Sequence, residues 1–285
     1  VPQEQLTRIN GINSSLQALV TLLSPMLGGV LLTLWDLPQI FLIDVATAAL
    51  AILLLVFFLH IPSQVPQDGS PATDYLEDMK LGLTYIRREA FIRTIFLYCA
   101  LYFILVSPMA FLTPLQVTRS FGPDVWRLTA IEVFFSGGMM LGGLLIAAWG
   151  GFSNRSHTMG LAYLVVAVCG AGLGLTGSFP LYLSLMALTG LAMPLFNTPF
   201  TVLIQEKTDP DYLGRVFGVL GMISSSVMPL SMLFFGPLAD RVPIENILVI
   251  SGILMFFQGL HLLRNRTLLK AGAPLKPEIP ETALP

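Results

Sequence analysis

The sequence predicts an all-α, polytopic membrane helix bundle with eight spans. Hydrophobic residues make up 54% of the chain against 11% for Asp, Glu, Lys and Arg together, and the mean hydropathy is +0.77. Apolar runs of about 20 residues, the length a helix needs to cross a bilayer core, recur along it. A length of 285 residues would otherwise read as a soluble body of one or two domains. The net charge of −2, with its few basic residues scattered, excludes a nucleic-acid partner. Cys99 and Cys169 fall inside apolar runs, where a thiol behaves as a small hydrophobe, so they carry no disulfide framework.

Taken in order, the first span runs over Ser14–Trp35 and the second over Gln39–His60, joined by the turn "WDLP". Residues 61–91 form one long linker that opens on the breakers Pro62, Pro66, Gly69 and Pro71. Within it Leu76, Met79, Leu83 and Ile86 recur at spacings of three and four among charged neighbours, predicting an amphipathic helix on a membrane face. Six spans follow, over Ile92–Leu115, Thr129–Trp149, Met159–Ser178, Pro180–Leu203, Phe217–Leu238 and Ile247–Leu263. Trp35, Trp126 and Trp149 stand at span ends, where indole rings favour the headgroup layer. The Pro-rich and small residues of 264–285 predict a disordered tail.

Eight spans put both ends of the chain on one side. Of the 15 Lys and Arg, only Arg119, Arg127 and Arg241 fall on the opposite side, so the positive-inside rule makes both ends cytoplasmic. A long charged linker between helical bundles joins the halves of repeat-built transporters, yet two spans precede this one and six follow.

The order of "VPQEQLTRINGINSSLQ", "SPMLGG", "FLIDVATAAL", "GLTYIRREAFIRT" and "LIQEKTDPDYLGRVFGV" on these spans resembles the major facilitator superfamily, most closely its bacterial macrolide, multidrug and siderophore exporters. The resemblance implies a 12-helix, six-plus-six fold. Residues 1–60 then supply the last two spans of the amino-terminal bundle and 92–263 the whole carboxy-terminal bundle, with four spans expected before Val1. The valine start independently points to a fragment or processed product.

In "SPMLGG", Pro25, Gly28 and Gly29 resemble part of the exporters' proline-glycine motif, a bend at a moving interface, and also read as a packing kink. "GPLADR" spells most of the superfamily's signature loop but falls on the outer side, whereas "WGGFSNRSHT", in the expected place, keeps Arg155 without an aspartate. Arg155 therefore reads either as part of a latch or as a snorkelling arginine. In "TDPDYLGRV", Gly214 permits close helix approach, Asp209 sets a turn, and Arg215 pairs with Glu206, Asp209 or Asp211 or reaches lipid phosphate.

Asp44 and Glu132 are ionisable groups inside spans, which makes them proton-coupling candidates beside a structural, hydrogen-bonded role. Asn197, between Pro194 and Pro199, suits a cavity wall with broken backbone. Small-xxx-small pairs at Gly138–Gly142, Gly170–Gly174 and Gly214–Gly218 read as close packing, and Phe134, Phe135, Met139 and Met140 as cavity lining or lipid contact. No H-E-x-x-H, G-x-S-x-G or phosphate loop occurs, and His60, His157 and His261 are isolated, so neither an enzyme, a metal nor another cofactor is expected.

The expected function is secondary active transport in the bacterial inner membrane: alternating access, with proton-coupled efflux of a small, partly hydrophobic drug or siderophore. The lipid bilayer, that substrate and protons are the expected partners. A truncated, non-transporting sensor or assembly partner, or a facilitator or importer of the same fold, are the alternatives.

Overall fold

The computed structural model describes residues 5–58 and 75–273. Ten α-helices and no strand occur among them: α1 (Leu6–Leu34), α2 (Leu37–Phe58), α3 (Tyr75–Arg88), α4 (Ala90–Ser120), α5 (Val125–Trp149), α6 (Arg155–Leu175), α7 (Phe179–Lys207), α8 (Leu213–Ala239), α9 (Ile244–Arg264) and α10 (Arg266–Ala271). Among the described residues seven helices, α2 and α4 to α9, are long and apolar enough to cross a membrane. The eighth long helix, α1, includes positions whose side chains lie outside the described residues. Short turns reverse the chain after α1, α4, α6 and α8, at what is called here the turn end; α3 and α10 lie at the opposite, linker end.

Helices in a bilayer gain little from burying apolar surface against one another, so close backbone approach holds the bundle. The expectation for Gly138 and Gly142 is met: a Cβ at either would fall onto the α7 backbone at Ala187 or Leu191, and one at Gly190 onto the Phe135 carbonyl. The Gly170–Gly174 expectation is met in part. At Gly174 a Cβ would collide with Glu245 and Val249 of α9, and at Gly170 it would stand in ordinary contact, 3.4 Å from the Met109 sulfur.

The third pair corrects the sequence reading. A Cβ at Gly214 or Gly218 would meet nothing within 4 Å, so these glycines do not bring helices together among the described residues. Spacing marks small residues but not whether a neighbour faces them. Leucine at Gly214 is accordingly expected to leave the unfolding midpoint unchanged in a thermal melt of the purified protein, not to push helices apart.

The prolines of α7 also act differently from expectation. The backbone is not broken around Asn197; α7 is one helix of 29 residues with Pro194 and Pro199 buried inside it. Each proline only removes one N–H from the ladder, which a long packed helix absorbs. Likewise α1 is helical through Pro25, Gly28 and Gly29, although the side-chain surroundings of those three lie outside the described residues.

The linker helix lies on the bundle, with Gly82 and Ile86 buried and Leu83 exposed, so its buried side is rotated from the predicted Leu76–Met79–Leu83–Ile86 face. Leu76 itself is outside the described side chains. Tyr85 sets this seat: its ring stacks on Tyr212 at 4.4 Å and its hydroxyl accepts from the Asp209 N–H at 3.0 Å.

The predicted disorder from residue 264 is corrected as well. Asn265 caps α10 by accepting from the N–H groups of Thr267 and Leu268, Leu268 is fully buried, and the segment ties to the start of α6. There Asn154 Nδ2 donates to the Leu269 carbonyl at 2.9 Å, Ser156 Oγ to that of Leu268 at 2.6 Å, and the Arg155 N–H to that of Gly272 at 3.0 Å. Residues 274–285 of the predicted tail lie outside the described residues.

Candidate functional site

A cavity of about 240 Å³ lies between α4, α5 and α7, in the half of the bundle toward the turn end. Val106, Met109, Ala110 and Thr113 of α4, Glu132 and Phe135 of α5, and Met186, Thr189 and Met193 of α7 line it. Glu132 is the one ionisable group of this lining, and it is exposed. It stands seven residues past Val125, roughly 10 Å along the helix at about 1.5 Å per residue. Behind the wall, Tyr102 donates to the Met193 sulfur at 3.1 Å and packs its ring on Tyr163 and Phe196 at 5.3 and 5.0 Å. Asn197 follows Met193 by four residues, one turn further along the same face of α7, and is exposed.

At the linker end α5 and α7 are closed by α1. Gly11, Ser15 and Ala18 are buried, and a Cβ at Gly11 would come within 2.9 Å of the Ala147 amide nitrogen. Ser15 Oγ donates to the Met140 carbonyl of α5 at 3.1 Å, and Asn10 Nδ2 donates to Gln205 Oε1 at the end of α7 at 3.0 Å. The α1 seam is thus sealed in its linker half, while the Glu132 cavity lies in the opposite half of α5 and α7.

Glu206, next to Gln205, forms an ion pair with Arg155 across α6 and α7. Its carboxylate is 3% exposed and the Arg155 side chain 27%. The sequence leaves Arg155 as latch or snorkel and Glu206 as one of several candidate partners of Arg215; 51 residues separate Arg155 from Glu206, so local pattern does not pair them. Arg215 lies over the Tyr212 ring at 5.4 Å, and Asp209 accepts from the Asp211 N–H at 3.2 Å, the predicted turn. Removing one partner of a buried pair strands a charge, whereas a half-exposed arginine softens the loss; Arg155→Ala is expected to cost about 1–3 kcal/mol. A double-mutant cycle with Glu206→Gln in thermal unfolding measures this, and additive effects would show that the pair contributes nothing.

Asp44 and Glu132 stand on α2 and α5, which do not pack extensively against one another among the described residues, and Asp44 is exposed. No residue of the α2 span window is buried, with Leu42 69% and Phe57 72% exposed. Gln258 accepts from Tyr163 Oη at 2.6 Å and donates to the Tyr98 carbonyl at 3.0 Å, tying α4, α6 and α9. His261, which the sequence leaves isolated, shares a hydrogen bond with Tyr98 Oη. Helical phase alone, with Gln258 three residues before His261, would have placed both on one face.

Residues 1–232 match the family model described as Major Facilitator Superfamily. The chain belongs to the Major Facilitator Superfamily. It is 30% identical over 257 residues to "Macrolide efflux protein A" of Streptococcus pyogenes, covering 90% of this chain and 63% of that protein. With the protein of the same name from Enterococcus faecalis it shares 30% identity over 234 residues, 81% of this chain and 72% of the relative. "Multidrug efflux pump Tap" of Mycolicibacterium fortuitum is 28% identical over 139 residues, 47% of this chain and 32% of the pump. The chain thus spans about 63% of the length of the Streptococcus relatives. Superfamily membership, bacterial relatives and seven apolar helices identify a multi-pass bacterial membrane protein of a transporter family, not an enzyme. Within the Major Facilitator Superfamily fold the cavity and the α1 seam involve the same two helices, α5 and α7, in opposite halves of the bundle.

Proposed function

We propose that this chain is part of a secondary active exporter of small, partly hydrophobic compounds that works by alternating access with proton antiport. The observation that carries the reading is the cavity beside Glu132 on helices whose other half is sealed by α1. A site accessible from one face while a packed seam closes the other is one state of an alternating-access cycle, and parting that seam gives the other state. The names of the relatives, efflux protein and efflux pump, favour export as the direction.

The linker end gathers the described Lys and Arg except Arg119, Arg127 and Arg241, so it faces the cytoplasm by the positive-inside rule. Both ends of the chain then lie inside, at the bacterial inner membrane, and the cavity is on the outer half. Glu132 is the stronger of the two proton-coupling candidates because it alone lines a cavity. Asp44 joins it as a carboxylate on an otherwise uncharged helix, a placement that is costly without a role.

Asp44→Asn and Glu132→Gln, made separately in the full-length gene product, test the coupling. Glu132→Gln is expected to lower dye export under a proton gradient at least tenfold, and Asp44→Asn to lower it less. Wild-type rates in both variants would remove both residues as proton carriers. Export that persists after the gradient is collapsed would instead make the protein a facilitator.

A further inference from the structure

We propose that His261, Tyr98 and Asn265 form a pH-sensitive fastening of α10, closed while the His261 ring is neutral and released when the ring takes up a proton; this goes beyond the transport reading and does not rest on it. Counting protons sets the direction of each hydrogen bond. Asn265 Oδ1 accepts from the N–H groups of Thr267 and Leu268 at 3.0 and 3.3 Å, which fixes the orientation of the amide. Its Nδ2 is therefore a donor, and it reaches Tyr98 Oη at 3.5 Å. The Tyr98 hydroxyl, accepting from Asn265, gives its own single proton to its other neighbour, His261 Nδ1. Nδ1 accepts only in a neutral ring whose proton is on Nε2.

Protonation puts a hydrogen on Nδ1 and reverses that bond. Tyr98 Oη then faces two donors, while its own proton, on a buried residue, has no acceptor. Tyr98 is held in place by its carbonyl, which accepts from Gln258 Nε2 at 3.0 Å. Asn265 is the partner that yields, and with it go the cap of α10 and the hydrogen bonds that α10 shares with the first turn of α6. His261 is exposed, so solvent supplies the proton, and among the described residues no carboxylate pairs with the ring. At this end the charged and titratable groups on the elements packed against it are Arg93 of α4 with Glu89 just before it, Arg266 and Lys270 of α10, and His157 and Arg155 of α6. Arg264 shares α9 with His261, and Arg155 is taken up by Glu206. The released form holds one proton more than the fastened one, so the fastening is complete at alkaline pH and is lost as pH falls through the ordinary histidine range.

Backbone hydrogen exchange of the purified full-length protein in lipid nanodiscs tests this, with each rate divided by the intrinsic rate at that pH. Both membrane faces are open in a nanodisc, so the result depends on neither sidedness nor transport. Protection of residues 265–272 is expected to be at least tenfold lower at about pH 5.5 than at about pH 8. His261→Gln, whose amide oxygen accepts from Tyr98 and takes no charge, should keep high protection at both. Tyr98→Phe removes the group that links the ring to Asn265, and its protection should not vary with pH. His157→Gln, on the first turn of α6, should respond as the wild type does. A flat wild-type profile, a wild-type response in His261→Gln or Tyr98→Phe, or a lost response in His157→Gln would each overturn the proposal. Should His261→Gln or Tyr98→Phe fail to fold, the other of the two decides.

Discussion

Replacing Gly142 with leucine is expected to unseat α5 from α7 and leave little folded protein. A Cβ at this position would overlap the Leu191 carbonyl oxygen, and the Leu191 Cα would lie 3.0 Å away. Overpacking in cores where side chains yield costs about 1–3 kcal/mol; here the obstruction is backbone, so the upper end or more is expected. Gly190 and Gly138 make the reciprocal contacts of the same seam, so relief by sliding the helices would create a new clash. The control is Gly137→Leu, one residue away, where a Cβ meets nothing within 4 Å. Thermal unfolding of the two variants in detergent should differ by many degrees, and coincident midpoints would refute the backbone-contact account of the α5–α7 pair.

The second large effect is expected from Gly143→Leu, which acts on a different contact. A Cβ there would strike Ser15 Oγ and stand 2.8 Å from the Gly11 carbonyl, so α1 must leave α5. The six helices α4 to α9 do not need that contact, and their melt should change little. Transport should fall more than tenfold, because the linker-end seam can no longer close. Asn10→Cys and Gln205→Cys, introduced together, report on the seam: their parent side chains share a hydrogen bond at 3.0 Å. Oxidative cross-linking should be efficient in the otherwise wild-type background and lost with Gly143→Leu; equal cross-linking in both would mean that α1 stays seated.

These two neighbours show what was legible in the sequence. Apolar runs, Trp at span ends and Gly138–Gly142 announce the helices and one interface, because length and small side chains are properties of the segment itself. The Gly214–Gly218 pair has the same signature and meets no neighbour among the described residues, since spacing does not tell which face of a helix is covered. Glu132 could be picked out as an ionisable group in a span, but its separation from Asp44 depends on how α2 sits, which local pattern does not encode. The Arg155–Glu206 pair, the Asn10–Gln205 bond and the Gln258 bridge join residues 51, 195 and 95 or more positions apart. Each is made by tertiary placement between polar groups that, read singly, look like ordinary span-end residues. The short helix α10 escaped notice for the opposite reason: its packing depends on one buried leucine, too weak a signal beside the prolines that follow.

The tie between α10 and the start of α6 also orders events during synthesis. Ser156 needs the Leu268 carbonyl, which the ribosome adds 112 residues later, and the Arg155 amide waits for Gly272. Until those residues emerge, the first turn of α6 must be served by water at the membrane surface, and the neighbouring Glu206 corner stays loose. The final stretch of this bundle is therefore its closing stitch: a chain halted before Gly272 can insert every span and still leave the linker end unfinished.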